Sequence, residues 1–309
     1  MEKVMPLISI VVITYNSAQY VLETLDSIKK QTYRNVELVI SDDASKDNTV
    51  AICSDWLKSN SRFFQRVELL TVSENTGVTA NCNRGFNRSS GDWIKFIAGD
   101  DILLDACLEV SYKQAMECNS DLVCSKLVYF NSEREWRDQS NANEFFNLLS
   151  PNRKLKVYCR YSFFTNTPSW LIKREVLAKQ NGFDESYKML EDQVFFLSLL
   201  RNKYSIKFLD DFTVKYRLHG DSVVQSRNGI FILELKKSFR EIRIKSLSYF
   251  NFKDILYILD DRIAIKIAQF PENYFYKILC RLSPARYFKL IIDKCPNSRT
   301  FYFIKYLLS

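Results

Sequence analysis

Short apolar runs alternate with amphipathic helical segments through the first 130 residues, and this alternation constrains the fold more than any other feature. Residues 7–13 are β-branched and almost entirely apolar, which is typical of a central strand in a parallel sheet. Further strands are predicted at residues 36–40, 67–72, 94–98 and 122–130, and helices at about 18–30, 49–57, from 77 to 87, and 106–118. Such alternation implies parallel strands with right-handed crossovers, so we expect an α/β fold with a mainly parallel central sheet.

The pattern after residue 165 is less regular. Asn16 or Ser17 is expected to cap the first helix. Later strands are predicted at residues 169–172, 204–209 and 212–216, and later helices at 174–179, 194–200 and in several segments from 230 onward.

The fourth predicted strand ends abruptly in Gly99, Asp100 and Asp101. Two adjacent carboxylates at the end of a buried strand repel each other and lose hydration, and a divalent cation with oxygen ligands compensates for both effects. Ligands of open α/β sheets also bind beyond the carboxyl ends of the strands. The alternative is a solvated turn that uses Asp for its backbone tolerance.

Several common classes of site are not supported by the sequence. No G-x-G-x-x-G follows the first strand and no G-x-x-x-x-G-K occurs, so neither a dinucleotide fingerprint nor a P-loop is indicated. The 8 cysteines contain no C-x-x-C pair, which indicates reduced thiols in a cytoplasmic protein rather than a zinc site or a disulfide framework. No run reaches the roughly 20 uncharged residues that a membrane-spanning helix needs.

The positive charge of the chain lies in its C-terminal part. Residues 227–309 hold 16 Lys and Arg against 7 Asp and Glu, a balance of +9, whereas the whole chain carries +8. This region could be a solvated helical cap, a nucleic-acid patch or a membrane-surface anchor. Its many Phe and Tyr residues favour contact with an anionic membrane surface and disfavour nucleic acid.

Seven short motifs occur in one order that resembles a known family. They lie at residues 10–16, 41–45, 75–77, 97–101, 182–185, 191–192 and 216–219. The sequence resembles family 2 glycosyltransferases with the GT-A (nucleotide-diphospho-sugar transferase) fold. The resemblance implies a catalytic domain over residues 1–226, with a nucleotide-sugar-binding half (1–130) and an acceptor-binding half (131–226), followed by a helical C-terminal region (227–309).

The resemblance also implies which residues hold the donor nucleotide. They are Thr14, Tyr15, Asn16, Asp43, Asn75, Arg84 and Asp100. Asp43 could accept a hydrogen bond from uracil N3–H, because a carboxylate suits an imide donor. Tyr15 could equally be a core aromatic. Asp42 is better explained by a turn, and Asp47 by capping of a helix.

The implied metal ligands are Asp101, Asp100 and His219, holding Mn²⁺ or Mg²⁺ against the donor diphosphate. Two departures from the family pattern bear on this site. Ala98 stands at the first acidic position of the family motif, and Cys82 stands where many members have Arg. Arg84 could supply the missing cation, and Cys82 is interpreted as a packing residue.

Asp192 matches the catalytic base of the family, with Glu191 as a supporting residue. An inverting transferase needs one carboxylate that takes the proton from the acceptor hydroxyl. The alternative is a pair of acids favoured by the dipole at a helix start. Trp170 could stack on a sugar face, although a core position is the commoner use of Trp.

Together these features predict an inverting, metal-dependent glycosyltransferase. It would move a hexose or N-acetylhexosamine from a UDP-sugar to a polyprenyl-diphosphate-linked glycan during synthesis of a bacterial surface polysaccharide such as O-antigen. We expect a cytoplasmic protein, peripheral on the inner face of the cell membrane. Two alternatives are a nucleotidyltransferase and a nucleotide-sugar-binding protein whose catalytic site has degenerated.

Overall fold

The computed structural model describes residues 5–137, 142, 145, 146, 150–161, 166–219, 234, 237, 238 and 241. The chain divides into two compact units, one formed by residues 1–154 and 163–226 and the other by residues 155–162 and 227–309. The predicted helical C-terminal region therefore lies almost wholly outside the described residues.

Four parallel strands form the first part of the sheet, in the order β3-β2-β1-β4. Their bounds are β1 Ile8–Thr14, β2 Val36–Asp42, β3 Val67–Thr71 and β4 Trp93–Ala98. The helices that connect them are α1 Val21–Lys29, α2 Thr49–Asn60 and α3 Val78–Arg88. β1 and β2 are buried along almost their whole length, because helices cover the sheet and apolar side chains fill both of its faces. The alternation of strands and helices thus predicted this half correctly.

The remaining strands make the sheet mixed. They are β5 Ile102–Leu103, β6 Leu122–Phe130, β7 Glu135–Arg137, β8 Trp170–Lys173 and β9 Ile206–Arg217, and the later helices are α4 Cys107–Glu117, α5 Pro151–Tyr161, α6 Arg174–Lys179 and α7 Glu191–Arg201. β8 inserts between β4 and β6 and runs antiparallel to both, while β9 is parallel to β6. The parallel order therefore ends at β4, although the α/β fold is as predicted.

β9 is one bulged strand where two strands were predicted. Its pairing with β6 shifts register after Ser125, so that Asp210 and Asp211 fall between the paired segments. In the sequence, two adjacent Asp residues between apolar segments are typical of a turn. In the structure it is exposed, and Asp210 forms an ion pair with Lys126 on the neighbouring strand.

The predicted cap of α1 is wrong. The helix begins at Val21, and the Ser17 carbonyl, rather than a side chain, accepts the N–H groups of Tyr20 and Val21 at 2.9 Å. Asn16 has a left-handed backbone (φ 52°), and its side-chain oxygen accepts the Lys46 N–H at 2.8 Å. Asn16 therefore ties the loop after β1 to the loop after β2.

At the opposite end of the strands, the buried carboxylate of Glu37 links β2 to β1 and to the turn before β4. Glu37 on β2 accepts hydrogen bonds from Ser9 Oγ (2.5 Å), Ser90 Oγ (2.7 Å) and the Gly91 N–H (3.0 Å). Burial alone would raise the pKa of Glu37, but these hydrogen bonds outweigh it and hold the pKa below its usual range. Glu37 thus fixes the turn that leads from α3 into β4.

Glu37→Gln is expected to lower the free energy of unfolding at pH 7 by on the order of 2 kcal/mol. The charged hydrogen bonds are lost, and the side-chain NH₂ group of Gln would face hydrogen-bond donors of the protein instead of acceptors. The stabilisation by Glu37 is present above its unfolded pKa of about 4.3 and is lost as the pH falls through the lower folded pKa. Urea denaturation should therefore show a flatter acid dependence for the variant. Glu117→Gln, which removes an exposed pair with Lys113, is the control and should change little. Equal acid sensitivity of wild type and Glu37→Gln would contradict this account.

Candidate active site

Three loops converge beyond the carboxyl ends of β1, β2 and β4. At Gly99 the chain passes so close to β1 that a Cβ on this residue would lie 2.7 Å from Thr14 Cγ2. The Asp43 N–H donates to the Thr14 carbonyl at 3.0 Å, and the Gly99 N–H donates to the Ile13 carbonyl at 2.9 Å. The predicted donor and metal residues of the first half are thereby brought to one edge of the sheet.

Asp42 and Asp47 serve the loops themselves. Asp42 is buried and accepts from Thr14 Oγ1 (2.7 Å) and from the N–H (2.9 Å) and hydroxyl (2.6 Å) of Ser45. Asp47 accepts the Thr49 N–H at the start of α2 and the Ala18 N–H, both at 3.0 Å. These contacts agree with the interpretation of Asp42 as a turn residue, whereas Asp47 lies one position before the N-cap Asn48 and accepts the first N–H of α2.

Asp43 and Arg84 form a closed cluster. The buried Asp43 carboxylate accepts the Thr76 N–H (2.9 Å), the Gly77 N–H (2.8 Å), Thr76 Oγ1 (2.6 Å) and Arg84 Nη2 (3.1 Å). A carboxylate offers about four acceptor directions, and four donors already occupy them. A contact between Asp43 and a uracil N3–H therefore requires one of these donors to leave.

Arg84 has further partners in the same cluster: its guanidinium also contacts Ser41 Oγ (3.3 Å), Asn81 Oδ1 (3.0 Å) and Thr76 Oγ1 (2.7 Å). The side chain is one-fifth exposed, so one edge still faces the solvent.

Tyr15 and Asn75, two of the predicted donor-binding residues, are exposed, as is the neighbouring Asn16. Tyr15 is 47% exposed, so its interpretation as a core aromatic is wrong and its ring is available to a ligand. Asn75 is exposed and its Oδ1 accepts the Gly77 N–H at 3.1 Å, which shapes the turn before α3. Both lie on loops at the same edge as Asp43.

The predicted metal residues come together across 119 positions of sequence. His219 Nε2 lies 2.8 Å from Asp100 Oδ2. Arg217, at the end of β9, donates its N–H to Asp101 Oδ1 (2.8 Å) and its Nε–H to the Asp100 carbonyl (2.7 Å). Stacking of the Arg217 guanidinium on Tyr20 and Phe130, with ring distances of 4.5 and 4.3 Å, fixes its position.

Asp101 is a buried carboxylate with one unsatisfied oxygen. Its Oδ2 is inaccessible and has no hydrogen-bond partner among the described residues. Burial, and then the charge of Asp100, raise the pKa of Asp101, while Arg217 and Lys95 oppose this rise. An orphaned carboxylate oxygen next to a second carboxylate and an imidazole fits a divalent cation. Within the described ranges, however, no three acidic, Cys or His side chains are already arranged as a complete metal site.

The predicted base lies in the first turn of α7. Asp192 is half-buried, and its Oδ1 accepts the Gln193 N–H at 2.6 Å. Burial, followed by the charge of Glu191, raises the pKa of Asp192 well above its ordinary value. Cys82 is buried near this pair, and burial together with both acids raises the pKa of its thiol. A neutral thiol in this position is a packing residue, as predicted.

Two polar residues of α3 hold the segment that leads to α7, and the sequence did not single them out. Asn83 accepts the Phe183 N–H (2.8 Å) and donates to the Phe183 carbonyl (2.9 Å), while Thr79 Oγ1 donates to the Tyr187 carbonyl. Gly182 allows this contact, because its φ is 77° and a Cβ would lie 2.5 Å from Asn83 Oδ1. Helix α3 thus supports the segment that precedes Asp192.

Trp170 is not an acceptor platform in this structure. It is 1% exposed and packs against Phe195 and Phe196, with ring centroids 6.2 and 5.9 Å away. The core alternative is therefore correct for this residue.

The mixed α/β sheet has the GT-A fold, with one pair of acidic residues after β4 and another at the start of α7. The sequence model described as glycosyl transferase family 2 matches residues 9–180, and the chain belongs to this family. It is therefore a glycosyltransferase that uses a nucleotide sugar, which decides against the nucleotidyltransferase alternative. No helix in the described part of the chain has the length and hydrophobicity for a bilayer crossing.

Two relatives from Streptococcus pneumoniae serotype 4 illustrate the range of similarity. The glycosyltransferase GlyG is 25% identical over 293 residues, which cover 89% of this chain and 94% of GlyG. The glycosyltransferase GlyA is 31% identical over 159 residues, which cover 52% of this chain and 21% of GlyA. The chain thus spans nearly all of one relative and about a fifth of the other.

Two solved structures share the fold. S. aureus TarS 1–349 in complex with UDP-GlcNAc has a TM-score of 0.57 at 18% identity, covering 84% of this chain and 81% of that one. The mannosyltransferase PcManGT of Pyrobaculum calidifontis, in complex with GDP-Man and Mn²⁺, has a TM-score of 0.58 at 16% identity, covering 91% and 80%.

Proposed function

We propose that this enzyme transfers a hexose or N-acetylhexosamine from a UDP-sugar, with inversion and with a divalent metal, to a lipid-linked glycan. The observation that carries the proposal is Asp101, a carboxylate buried just after β4 whose Oδ2 has no hydrogen-bond partner in the part of the chain that the structure describes. In its ionised form such a group is costly unless a cation neutralises its charge. The position is the one where ligands of α/β sheets bind.

On the donor side, Asp101, Asp100 and His219 are the residues that would hold Mn²⁺ or Mg²⁺. The metal, when bound, neutralises the diphosphate and makes it a better leaving group. The Mn²⁺ and GDP-Man in PcManGT, and the UDP-GlcNAc in TarS, support a metal and a nucleotide sugar as ligands of this fold. UDP is proposed from the family resemblance of the loops after β1 and β2.

In the nucleotide pocket we assign two different roles. The exposed Tyr15 and the loop containing Asn16 contact the nucleobase or ribose. Asp43 shapes the pocket by holding Thr76, Gly77 and Arg84 in place. The exposed edge of the Arg84 guanidinium then faces the ligand. Thr14 is already hydrogen-bonded to Asp42, so it shapes the loop rather than offering a free hydroxyl proton.

On the acceptor side, Asp192 is the general base. The acceptor hydroxyl gives its proton to the Asp192 carboxylate while its oxygen attacks the anomeric carbon. The bond from that carbon to the nucleotide oxygen breaks, and its electron pair leaves with the nucleoside diphosphate. A raised pKa suits the role, because proton transfer is most effective when the base titrates near the working pH.

The test is a donor screen with Mn²⁺ present, in which release of nucleoside diphosphate is measured from UDP-Glc, UDP-Gal, UDP-GlcNAc, UDP-GalNAc and GDP-Man. We expect one of the UDP-sugars to be turned over and polyprenyl-diphosphate-linked N-acetylglucosamine to accelerate the release. Turnover of GDP-Man alone would contradict a UDP donor. An unchanged rate with the lipid-linked sugar would contradict that acceptor class.

We also propose that residues 227–309 attach the enzyme to the anionic inner face of the cell membrane during synthesis of a surface polysaccharide such as O-antigen. The excess of +9 in this region and its interspersed aromatic residues support this role.

Neutralising four basic residues of this region is expected to weaken binding to phosphatidylglycerol vesicles. Each cation near an anionic surface contributes about 1 kcal/mol, so four correspond to roughly a thousandfold in affinity. The variant replaces by Gln the residues Arg281, Arg286, Lys289 and Lys294. A control with the same charge change replaces by Gln the exposed residues Lys30, Lys58, Lys113 and Lys179. Co-sedimentation with vesicles measures both, and equal loss in both variants would remove the membrane role from this region.

A further inference from the structure

A lysine is fully buried in the centre of the sheet. Lys95 lies in the middle of β4 opposite Ile10 of β1, and its relative exposure is 0%. Methionine would fill similar space without the cost of desolvating a charge. The cost of burying the Lys95 ammonium indicates that it makes an interaction that an apolar side chain cannot make.

The ammonium holds one turn. Lys95 Nζ donates to the Pro168 carbonyl at 2.6 Å, within a 3₁₀ helix of one turn, Thr167–Ser169, that precedes β8. Pairing between β4 and β8 extends only from Trp93 to Ile94, so this side-chain bond continues the contact where the backbone ladder stops. The same turn is held from its other side, where Ser125 Oγ donates to the Ser169 carbonyl at 3.1 Å.

This 3₁₀ turn also supports Glu191 and Asp192, the two acidic residues at the start of α7. Thr167 is buried, and its Oγ1 donates to Glu191 Oε1 at 3.3 Å. Glu191 precedes Asp192, and its charge is a cause of the raised pKa of Asp192. The contacts therefore run from β4, through Pro168 and Thr167, to the residue beside the proposed base.

β4 also carries Asp100 and Asp101 at its end, so Lys95 belongs to the strand that presents the donor-side acids. We infer that Lys95 is a positioning residue for sugar transfer: by holding the Thr167–Ser169 turn, it places Glu191 and Asp192 relative to the acids after β4. This inference rests on the proposed role of Asp192 as the base. Lys95 contacts no reacting atom and positions the base through the turn, while its charge also acts on the buried Asp101.

The test compares Lys95→Met with wild type in the nucleoside diphosphate release assay, using the best donor of the panel. A misplaced base lowers the rate without weakening donor binding, so we expect kcat to fall by roughly 10- to 100-fold while donor KM stays within about threefold. UDP affinity with Mn²⁺, measured by calorimetry, should also be unchanged. Rates are corrected for the folded fraction by thermal unfolding of the same samples.

The matched control is Lys173→Met on the adjacent strand β8. Lys173 bonds Asp121 Oδ1 at 3.1 Å and does not contact the turn, so its removal should leave kcat unchanged. Thr167→Val and the double variant complete a cycle. If Lys95 acts through Thr167, the double variant loses no more than Lys95→Met alone, whereas independent effects would multiply.

The outcomes separate this inference from the proposed function. Unchanged kcat in Lys95→Met, with Asp192→Asn impaired, would overturn the role of Lys95 and leave the base in place. Loss of UDP affinity with kcat intact would move Lys95 to the donor side, and multiplying effects in the cycle would show that the turn does not transmit its influence. Near-normal turnover by Asp192→Asn would overturn the base assignment and this inference together.

Discussion

Asp101→Asn is expected to abolish sugar transfer and leave the fold intact. The substitution keeps the size of the side chain but removes the charge that a divalent cation requires from its ligand. In the wild type, Asp101 Oδ1 accepts the Arg217 N–H while Oδ2 has no partner among the residues described, so Asn retains the contact to the protein and loses the proposed contact to metal. EDTA should likewise abolish transfer by the wild type, and Mn²⁺ or Mg²⁺ should restore it.

Thermal unfolding gives a second readout that does not depend on turnover. Mn²⁺ with UDP should raise the melting temperature of the wild type by mass action, and this rise should vanish in Asp101→Asn. The metal-free variant should melt no lower than the wild type, because it no longer buries a carboxylate beside Asp100.

Asp42→Asn is the matched control. Asp42 is also a buried acid at the end of a parallel strand, but three donors already satisfy it, so this variant should lose stability and keep its response to Mn²⁺. Full turnover of the wild type in EDTA would remove the metal from the mechanism.

The local patterns of the sequence were sufficient for the first half of the sheet and insufficient for the second. β1 to β4 are consecutive, apolar and joined by amphipathic helices, so periodicity alone predicts them and their parallel order. β8 pairs with β4 and β6, which are far from it in the sequence. Nothing in the sequences of these segments indicates which strands will pair. β5, with two residues, is too short to produce a pattern.

The same division holds for the site. The resemblance predicted the residues that lie together at Asp100, Asp101 and His219, because each belongs to a motif. It could not show how many hydrogen bonds each residue already makes. Asp43 carries four of them, which becomes visible only when the turn at Thr76 and the side chain of Arg84 are placed beside it.

Supporting residues were missed for a related reason. Asn83 and Thr79 sit in a helix where polar residues usually face solvent, and their partners in the segment 183–187 are about 100 positions away. Lys95 interrupts an apolar strand, which is a signal in the sequence, but its partner Pro168 cannot be read from that interruption.

Asp192→Asn is expected to lower the transfer rate by about 10²–10⁴-fold, the loss typical of a positioned general base. Asn keeps the size of the side chain and can still accept the Gln193 N–H, but it cannot take a proton from the acceptor. UDP affinity in the presence of Mn²⁺ should change little, because the proposed nucleotide and metal residues lie on the loops after β1 to β4, on α3 and after β9, and none of them lies on α7. Rate and affinity are to be measured on the same preparation, at saturating donor and acceptor.

The pH dependence follows from the raised pKa of Asp192. Only the ionised carboxylate accepts a proton, so the wild-type rate should rise with pH along a limb placed above the ordinary Asp value of about 3.9. Stability should move in the opposite direction. The folded state binds more protons than the unfolded chain between the two pKa values, so the wild type loses stability as the pH rises through that interval. Asp192→Asn should show neither this contribution to the rate nor this loss of stability.

Asp184→Asn separates a base from an acid that merely lies in the same segment. Asp184 accepts the Ser186 N–H at 2.9 Å in the turn before α7, and its removal should cost a little stability and leave the rate almost unchanged. If Asp192 served only the dipole of α7, its own substitution would behave in the same way, with a cost of about 0.3–1 kcal/mol and no kinetic effect. A rate within a few-fold of wild type for Asp192→Asn would therefore move the base to Glu191 or Asp184, and the rates of the Glu191→Gln and Asp184→Asn variants would show which of the two carboxylates carries it.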